Sequence, residues 1–384
     1  MTRERHLVTG ATGFVGGAIV LELLDKTDAD VVCLARPAGD TPAAAARLGR
    51  ALGRALHAYG RERDFGPEVA RRCHAVAGDL TRPLCGADPA ELGPVTEIWH
   101  CAASLEFEDE NEEEIFRTNV EGTEAAVELA RELGCESFNY VSTAYVAGKL
   151  GGTIRETVPP LDSAVNNAYE KSKIHAEHVV SAARDLHVRI LRPSIVIGHS
   201  RTYAATSFTG MYGFLRGLRT LKREVSKRLG DFLAHRPLRF LADPETPMNL
   251  IPVDFVARNG VALALNGAGA GVYHLTNACP APLGVGVELA CKELGLRAPR
   301  FVGSEREFTS LDRELNRQIT FYAPYMRDDK EFDRANVDAI LGARASWSPL
   351  PREELRRYVR WYLDRLAIHS RRAIPSVRPA AAAG

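Results

Sequence analysis

The sequence predicts an α/β protein: a doubly wound parallel sheet with helices on both faces, joined to a smaller, discontinuous substrate-binding region. Three observations carry this. Over the first 200 residues short β-rich runs alternate with longer helical patterns. A glycine-rich turn separates the first run from the first helix. Beyond Gly198 the alternation breaks, and aromatic-rich stretches replace it.

Taken in order, Leu7–Thr9, Val31–Leu34, His74–Ala77, Glu97–His100, Phe138–Val141 and Val188–Leu191 are continuous apolar runs, the pattern of strands buried on both faces. Helical patterns at Val15–Leu24, Ile115–Leu133 and Lys171–Leu186 lie between them. Segments 201–241 and 300–327 lack the alternation, whereas 251–266 and 271–294 return to it. The expected organisation is therefore a sheet domain over 1–200, completed by about 248–278. A substrate-binding or cap region with C-terminal helices follows from 201–247 and 279–370. A charged amphipathic helix spans Arg352–Leu366, and the Pro/Ala-rich residues 371–384 are expected to form a flexible tail.

Composition narrows the class. Lys plus Arg and Asp plus Glu number 49 each, so the net charge is zero and nucleic-acid binding through a basic excess is excluded as an expectation. A 45% hydrophobic content in 384 residues supports a large core. No run reaches the ~18–20 apolar residues of a membrane span, and Met1–His6 leads into a strand without a signal-like stretch, so a cytoplasmic protein is expected. Seven cysteines with no C-x-x-C pair indicate neither a disulfide framework nor a metal site.

Directly after the first strand comes Gly10-Ala11-Thr12-Gly13-Phe14-Val15-Gly16, opening an apolar helix. Gly10 and Gly13 permit a tight turn in which a pyrophosphate meets backbone N–H groups at the helix N-terminus, and Gly16 permits close helix–strand packing. This is the Rossmann-type dinucleotide-binding arrangement, with Gly10, Thr12, Gly13, Phe14 and Val15 around the phosphates. An acidic residue at the end of the second strand would select NAD through the ribose hydroxyls. Here Leu34-Ala35-Arg36 ends in a guanidinium suited to a 2′-phosphate, so the expected cofactor is NADPH. Arg47 either adds a second positive charge or is a solvated surface arginine.

Val141-Ser142-Thr143-Ala144-Tyr145 ends the fifth strand, and Tyr169-Glu170-Lys171-Ser172-Lys173 follows on a helix, where Tyr169 and Lys173 share a face. An ammonium and a cofactor charge favour the ionised phenol, so Lys173 is expected to draw Tyr169 below its ordinary range. Thr143 then bonds a substrate carbonyl oxygen while Tyr169 passes it a proton.

Together these motifs resemble the extended branch of the short-chain dehydrogenase/reductase superfamily. Gly78-Asp79-Leu80, His100-Cys101-Ala102-Ala103, Asn119-Val120-Glu121-Gly122-Thr123 and Leu191-Arg192-Pro193-Ser194-Ile195-Val196 match that branch too. The resemblance implies that Asp79 and Leu80 flank the adenine, that Ala102 and Ala103 line the cofactor, that Asn119 contributes to its site, and that Pro193, Ser194 and Ile195 border the nicotinamide. Ser142–Val146, Met248–Asp254, Gly213–Leu218 and Phe321–Tyr325 are similar to the thioester reductase and fatty acyl-CoA reductase group. That resemblance implies an NADPH-dependent reductase of an acyl thioester on a carrier protein or coenzyme A. The product is an aldehyde or, after a second hydride, an alcohol. A reductase of a free ketone or aldehyde needs the same three residues, and a noncatalytic cofactor-sensing protein is the alternative outside enzymes. A sugar-nucleotide epimerase, which retains NAD, fits the Arg36 position less well. Acyl identity and oligomeric state are not legible.

Four further signals each have more than one account. The acidic run Glu106 to Glu114 is a solvated loop and helix start, or the rim of an entrance for a cationic substrate. His100 is a strand-end histidine rather than a base. Phe208, Tyr212, Phe214, Phe321, Tyr322 and Tyr325 are core or line an acyl tunnel. On 214–229, Leu215, Leu218, Val225 and Leu229 face one way and Arg216, Arg219, Arg223 and Lys227 the other. That basic face is solvated surface, a docking face for an acidic carrier or coenzyme A phosphates, or a membrane-surface contact.

Overall fold

The computed structural model describes residues 4–36, 41–106, 109–346 and 348–372. Seven strands form its central sheet: β1 (Arg5–Thr9), β2 (Asp30–Ala35), β3 (Cys73–Ala77), β4 (Glu97–His100), β5 (Ser137–Val141), β6 (His187–Pro193) and β7 (Gly271–Leu275). They lie in the order β7-β6-β5-β4-β1-β2-β3 with every neighbouring pair parallel. The order reverses between β1 and β4, which opens a crevice at the carboxyl ends of those strands. Nine helices are used below: α1 (Phe14–Lys26), α2 (Thr41–Tyr59), α3 (Glu62–Arg72), α4 (Gly122–Glu132), α5 (Ala168–Ala182), α6 (Met211–Leu229), α7 (Val253–Leu265), α8 (Leu283–Glu293) and α9 (Arg352–Arg372).

Alternation along β1 explains the two layers of core. Val8 faces a cluster with Ile19, Leu23, Leu52 and Val256 from α1, α2 and α7, while Leu7 faces Leu129, Ala130 and Val180 from α4 and α5 on the other side. Both side chains are fully buried. β3 departs from the expected two-sided burial: it is the sheet edge, and His74 on it is exposed.

α5 is pinned to the sheet by a buried ion pair. Arg192 of β6 meets Glu177 at 2.5 Å, both essentially inaccessible, and the same guanidinium donates to the Thr157 carbonyl at 2.9 Å. Losing one partner would strand a buried charge, a cost of about 3–5 kcal/mol. α5 begins three residues before its expected start because the Asn167 side chain accepts the Glu170 amide at 2.9 Å and caps it. Tyr169 therefore stands in the first turn.

The helix expected over 115–133 is broken by a π-turn at Arg117–Glu121 before α4 begins. α9 extends beyond the expected Leu366 to Arg372, so residues 371 and 372 are helical. Residues 373–384 of the expected tail lie outside the described residues, as do Glu108 and the side chains of Asp109 and Phe321. All seven cysteines are free thiols. No helix among the described residues is long and apolar enough to cross a membrane.

The remaining segments gather over the carboxyl ends of the sheet. They are stitched by ladders of two or three residues between remote parts of the chain: Arg239–Leu241 with Arg300–Val302, Leu250–Pro252 with Ile195–Ile197, and Glu331–Phe332 with Thr153–Ile154. A separate apolar cluster fills this region, with Leu215 and Leu218 of α6, Val287 of α8 and Val359 of α9 at its centre.

Candidate active site

The turn after β1 is built for close approach. Gly10 has φ +70° and a Cβ there would lie 2.6 Å from the Ala102 amide nitrogen; a Cβ on Gly16 would lie 2.3 Å from the Gly10 carbonyl oxygen. The Gly13 amide donates to that same carbonyl at 2.8 Å. Gly13 is the N-cap of α1 and offers no side-chain acceptor, so the first amides of the helix face the crevice. This cradle fits the pyrophosphate of a dinucleotide.

From the cradle a cavity of about 750 Å³ runs in both directions. Gly10, Thr12, Gly13, Phe14, Val15, Arg36, Arg47, Asp79, Leu80, Ala102, Ala103, Thr143, Tyr169, Lys173, Pro193, Ser194 and Ile195 all line it. Arg36 is exposed at the end of β2 and Arg47 half-buried on α2. Opposite them, Asp79 accepts from the amide and hydroxyl of Thr81 at 3.0 and 2.9 Å, which holds its carboxyl below the usual range with help from Arg36.

Asn119 is the expected site residue that does not line the cavity. Buried in the π-turn, it clamps the loop after β4: its side chain accepts the Ser104 amide at 2.7 Å and donates to the Ser104 carbonyl at 3.2 Å and the Ser172 hydroxyl at 2.9 Å. His100 extends the same clamp. Thr123 donates to the Asn119 carbonyl at 2.7 Å, so it accepts from His100 Nε2 at 3.1 Å, and His100 Nδ1 then accepts from Thr9 at 2.8 Å. Burial pushes His100 down to about 3, so it stays neutral and structural.

At the junction of the two arms stand Thr143, Tyr169 and Lys173. Thr143 accepts the Tyr145 amide at 3.2 Å, which leaves its hydroxyl hydrogen for a ligand. The neighbouring Ser142 hydroxyl is buried on the wall with no hydrogen-bond partner among the described residues. Lys173 Nζ donates to the Val141 carbonyl at 2.8 Å and lies 4.2 Å from the Tyr140 ring centre. Burial lowers its ammonium to about 7, opposed by Glu177 one turn away. The expectation that Lys173 would draw Tyr169 down is not met. Burial, reinforced by Glu170, pushes the Tyr169 phenol above its ordinary range, and the ammonium is turned to the Val141 carbonyl. The phenol is thus held in its proton-bearing form.

The far arm is apolar. Met211, Phe214 and Leu215 of α6, Leu283 and Val287 of α8, Val359 of α9, and Met248, Tyr322 and Met326 from the segments between these helices line it. The aromatic set divides accordingly: Phe214, Tyr322 and Tyr325 line the cavity, whereas Phe208 and Tyr212 pack against Tyr362 in the core. Sequence reasoning gave no role to Ser142, Tyr145 or Glu170, although they stand beside the catalytic candidates in the chain, and Met326 carries no pattern that marks it as a neighbour of Tyr169. In the acidic run, Glu106 and Glu114 reach the cavity rim and Glu112 pairs with Lys171 at 2.8 Å. On α6, Leu215, Leu218, Leu221 and Val225 are buried; Leu229, expected among them, is 57% exposed. Arg216, Arg223 and Lys227 are exposed and Arg219 is half-buried.

Residues 8–259 match the family described as Male sterility protein. The chain is 34% identical over 211 residues to an isonitrile lipopeptide synthase of Streptomyces coeruleorubidus, a match covering 52% of this chain and 14% of that protein. It is 30% identical over 224 residues to fatty acyl-CoA reductase 1 of Homo sapiens, covering 50% of this chain and 42% of that one. The chain thus spans less than half the length of these relatives. Among solved structures, the terminal R domain from the myxalamid PKS-NRPS biosynthetic pathway superposes with a TM-score of 0.74 at 25% identity, over 96% of this chain and 92% of that one. The parallel sheet, the cradle at its switch point and the extent of the match agree: the chain belongs to the Male sterility protein family, of the extended short-chain dehydrogenase/reductase type.

Proposed function

We propose that this chain is an NADPH-dependent reductase that converts a thioester-bound acyl group to an aldehyde, and in a second round to an alcohol. The observation that carries the reading is one continuous cavity. A dinucleotide cradle enters it from one side and an apolar arm from the other, with Thr143, Tyr169 and Lys173 where they meet.

The cradle amides and Gly13 hold the pyrophosphate, Asp79 and Leu80 flank the adenine, and Arg36 with Arg47 pairs with a 2′-phosphate. Pro193, Ser194 and Ile195 border the nicotinamide, which supplies the hydride when bound. Lys173, which donates to the Val141 carbonyl, would be placed to hold the adjoining ribose. Thr143 donates a hydrogen bond to the substrate oxygen and Tyr169 donates its proton there, offsetting charge as it develops. The apolar arm receives the acyl chain and excludes water from the reacting carbon.

The acyl group arrives on a carrier protein or on coenzyme A. Named relatives include a lipopeptide synthase and a fatty acyl-CoA reductase, and the exposed Arg216, Arg223 and Lys227 suit an anionic donor. The test is NADPH oxidation measured against a panel of acyl thioesters, free ketones and free aldehydes. Thioester turnover with aldehyde appearing first is the expected outcome. Turnover confined to free carbonyls would replace this reading with a carbonyl reductase.

A further inference from the structure

Reduction of a thioester and reduction of a ketone each consume one proton per hydride, but they deliver it to different atoms. In a ketone the proton lent by Tyr169 stays on the product oxygen. In a thioester the carbonyl re-forms when the C–S bond breaks, so that proton returns to Tyr169 and the departing sulfur needs another.

The cavity wall holds a second acid beside the first. Tyr325 lines the cavity with Tyr169 and Thr143. Its hydroxyl donates to Glu170 Oε1 at 2.6 Å and accepts from Asn167 Nδ2 at 3.0 Å. Asn167 and Glu170 flank Tyr169 in the first turn of α5, which sets the Tyr325 hydroxyl beside the N-terminus of the helix that carries Tyr169. Glu170 is 1% exposed and also accepts the Asn166 amide at 2.8 Å and its side-chain amide at 3.3 Å. Other charged or titratable groups around the pair are Tyr145, whose ring meets Tyr325 edge-on at 5.2 Å, and Lys330, held at 2.5 Å by Asp328. Among the described cavity-lining residues, Arg36, Arg47 and Asp79 belong to the adenosine end, and Glu106 and Glu114 are exposed on the rim.

We propose that Tyr325, backed by Glu170, is the acid that protonates the departing sulfur, on a proton path separate from Tyr169. The proposal rests on the thioester reading. The hydride brings two electrons from the reduced nicotinamide dinucleotide to the thioester carbon, and the C=O pair moves to oxygen, which takes the Tyr169 proton. The C–S bond then breaks with its pair on sulfur, and the oxygen returns its proton to Tyr169 as C=O re-forms. Sulfur takes the Tyr325 proton, Tyr325 takes the Glu170 proton, and Glu170 is recharged from solvent. One thioester, one reduced cofactor and one proton become aldehyde, thiol and oxidised cofactor.

The environment fits a coupled relay. Burial and Glu170 hold the Tyr325 phenol above its ordinary range, so it gives up a proton to a thiolate only while receiving one. Burial also raises the Glu170 carboxyl, against the hydrogen bonds it accepts from Tyr325 and Asn166.

The leaving thiol's acidity tests this in the full chain. An aryl thioester departs as a stable thiolate and needs no acid; an alkyl thioester such as an acyl-CoA does. Tyr325→Phe is expected to lower kcat on the acyl-CoA about 100-fold, to leave kcat on the phenyl thioester of the same acid within about threefold, and to leave NADPH affinity by fluorescence titration unchanged. Glu170→Gln should follow the same pattern, and should remove the fall in acyl-CoA turnover at high pH that the relay predicts for the unmodified protein as Glu170 loses its proton. An equal fall on both thioesters, or no fall on either, overturns the relay. If the unmodified protein turns over neither thioester, the functional reading itself has failed, which is a distinct result.

Discussion

The cradle half of the site and the apolar half reach the same cavity by opposite routes. The first comes from one contiguous strand–turn–helix unit, in which Gly10, Gly13 and Gly16 act within a single turn. The second is collected from α6, α8, α9 and the 320–326 segment, which lie up to about 150 residues apart. A pyrophosphate needs backbone amides at fixed spacing, which only local chain geometry provides. An acyl chain needs only apolar surface, which any packed segment can supply. Cofactor binding is therefore expected to be rigidly encoded, and acyl preference open to change.

The sharpest break between the halves is Tyr169→Phe. Removing the proposed proton donor should reduce thioester turnover about 1000-fold while NADPH still binds, as titration of protein fluorescence would register. Loss of binding together with turnover would show that the junction cannot be separated from the cradle.

Arg36→Ala acts on the cradle half alone. Losing a charge-assisted contact of about 1.5–3 kcal/mol should weaken NADPH about 10- to 100-fold, with NADH affinity nearly unchanged. Equal affinity of the unmodified protein for both cofactors would remove the basis for assigning NADPH.

On the other half, Arg216→Glu combined with Arg223→Glu should lower kcat/KM for carrier-bound or coenzyme A substrates about 3- to 10-fold at low salt, while sparing a short uncharged thioester. Unchanged rates on both substrates make this face of α6 plain solvated surface.

The smallest effect is on stability. With the folded Lys173 ammonium at about 7 against an ordinary 10.5, the unfolded chain holds a proton that the folded chain lacks between those values. Stability of the cofactor-free protein should rise with pH across that window, and below about 7 Lys173 is a buried charge. Lys173→Met should therefore raise the melting temperature of the cofactor-free protein by about 2 °C near pH 7.5 and lose that advantage as the pH approaches 10.5, although activity is lost. Scanning calorimetry of both proteins at several pH values checks the sign.

The same contrast explains what could be read in the sequence. All six strands named from their apolar runs are present, and Thr143, Tyr169 and Lys173 converge on one cavity, because each signal repeats at the period of the element that carries it. Asn119 was assigned to the cofactor site but stands behind the wall: its motif marks a position in the chain and says nothing of which way an amide turns inside a π-turn. The Tyr325–Glu170 contact was invisible, since it joins residues 155 apart with no shared pattern. The two- and three-residue ladders over the sheet are too short for alternation to register.

β7 adds a consequence for biosynthesis. It closes the sheet against β6, yet it follows β6 by some 80 residues of intervening chain. At roughly 5–20 residues per second, a ribosome needs about 4–16 s to deliver it. Throughout that interval the hydrogen-bonding edge of His187–Pro193 is bare, an open template for pairing with another nascent chain. A protein cut near residue 200 would keep that edge permanently, so the cradle half is not a separable module: it depends on synthesis running on through the segments packed over the sheet to the strand that seals it.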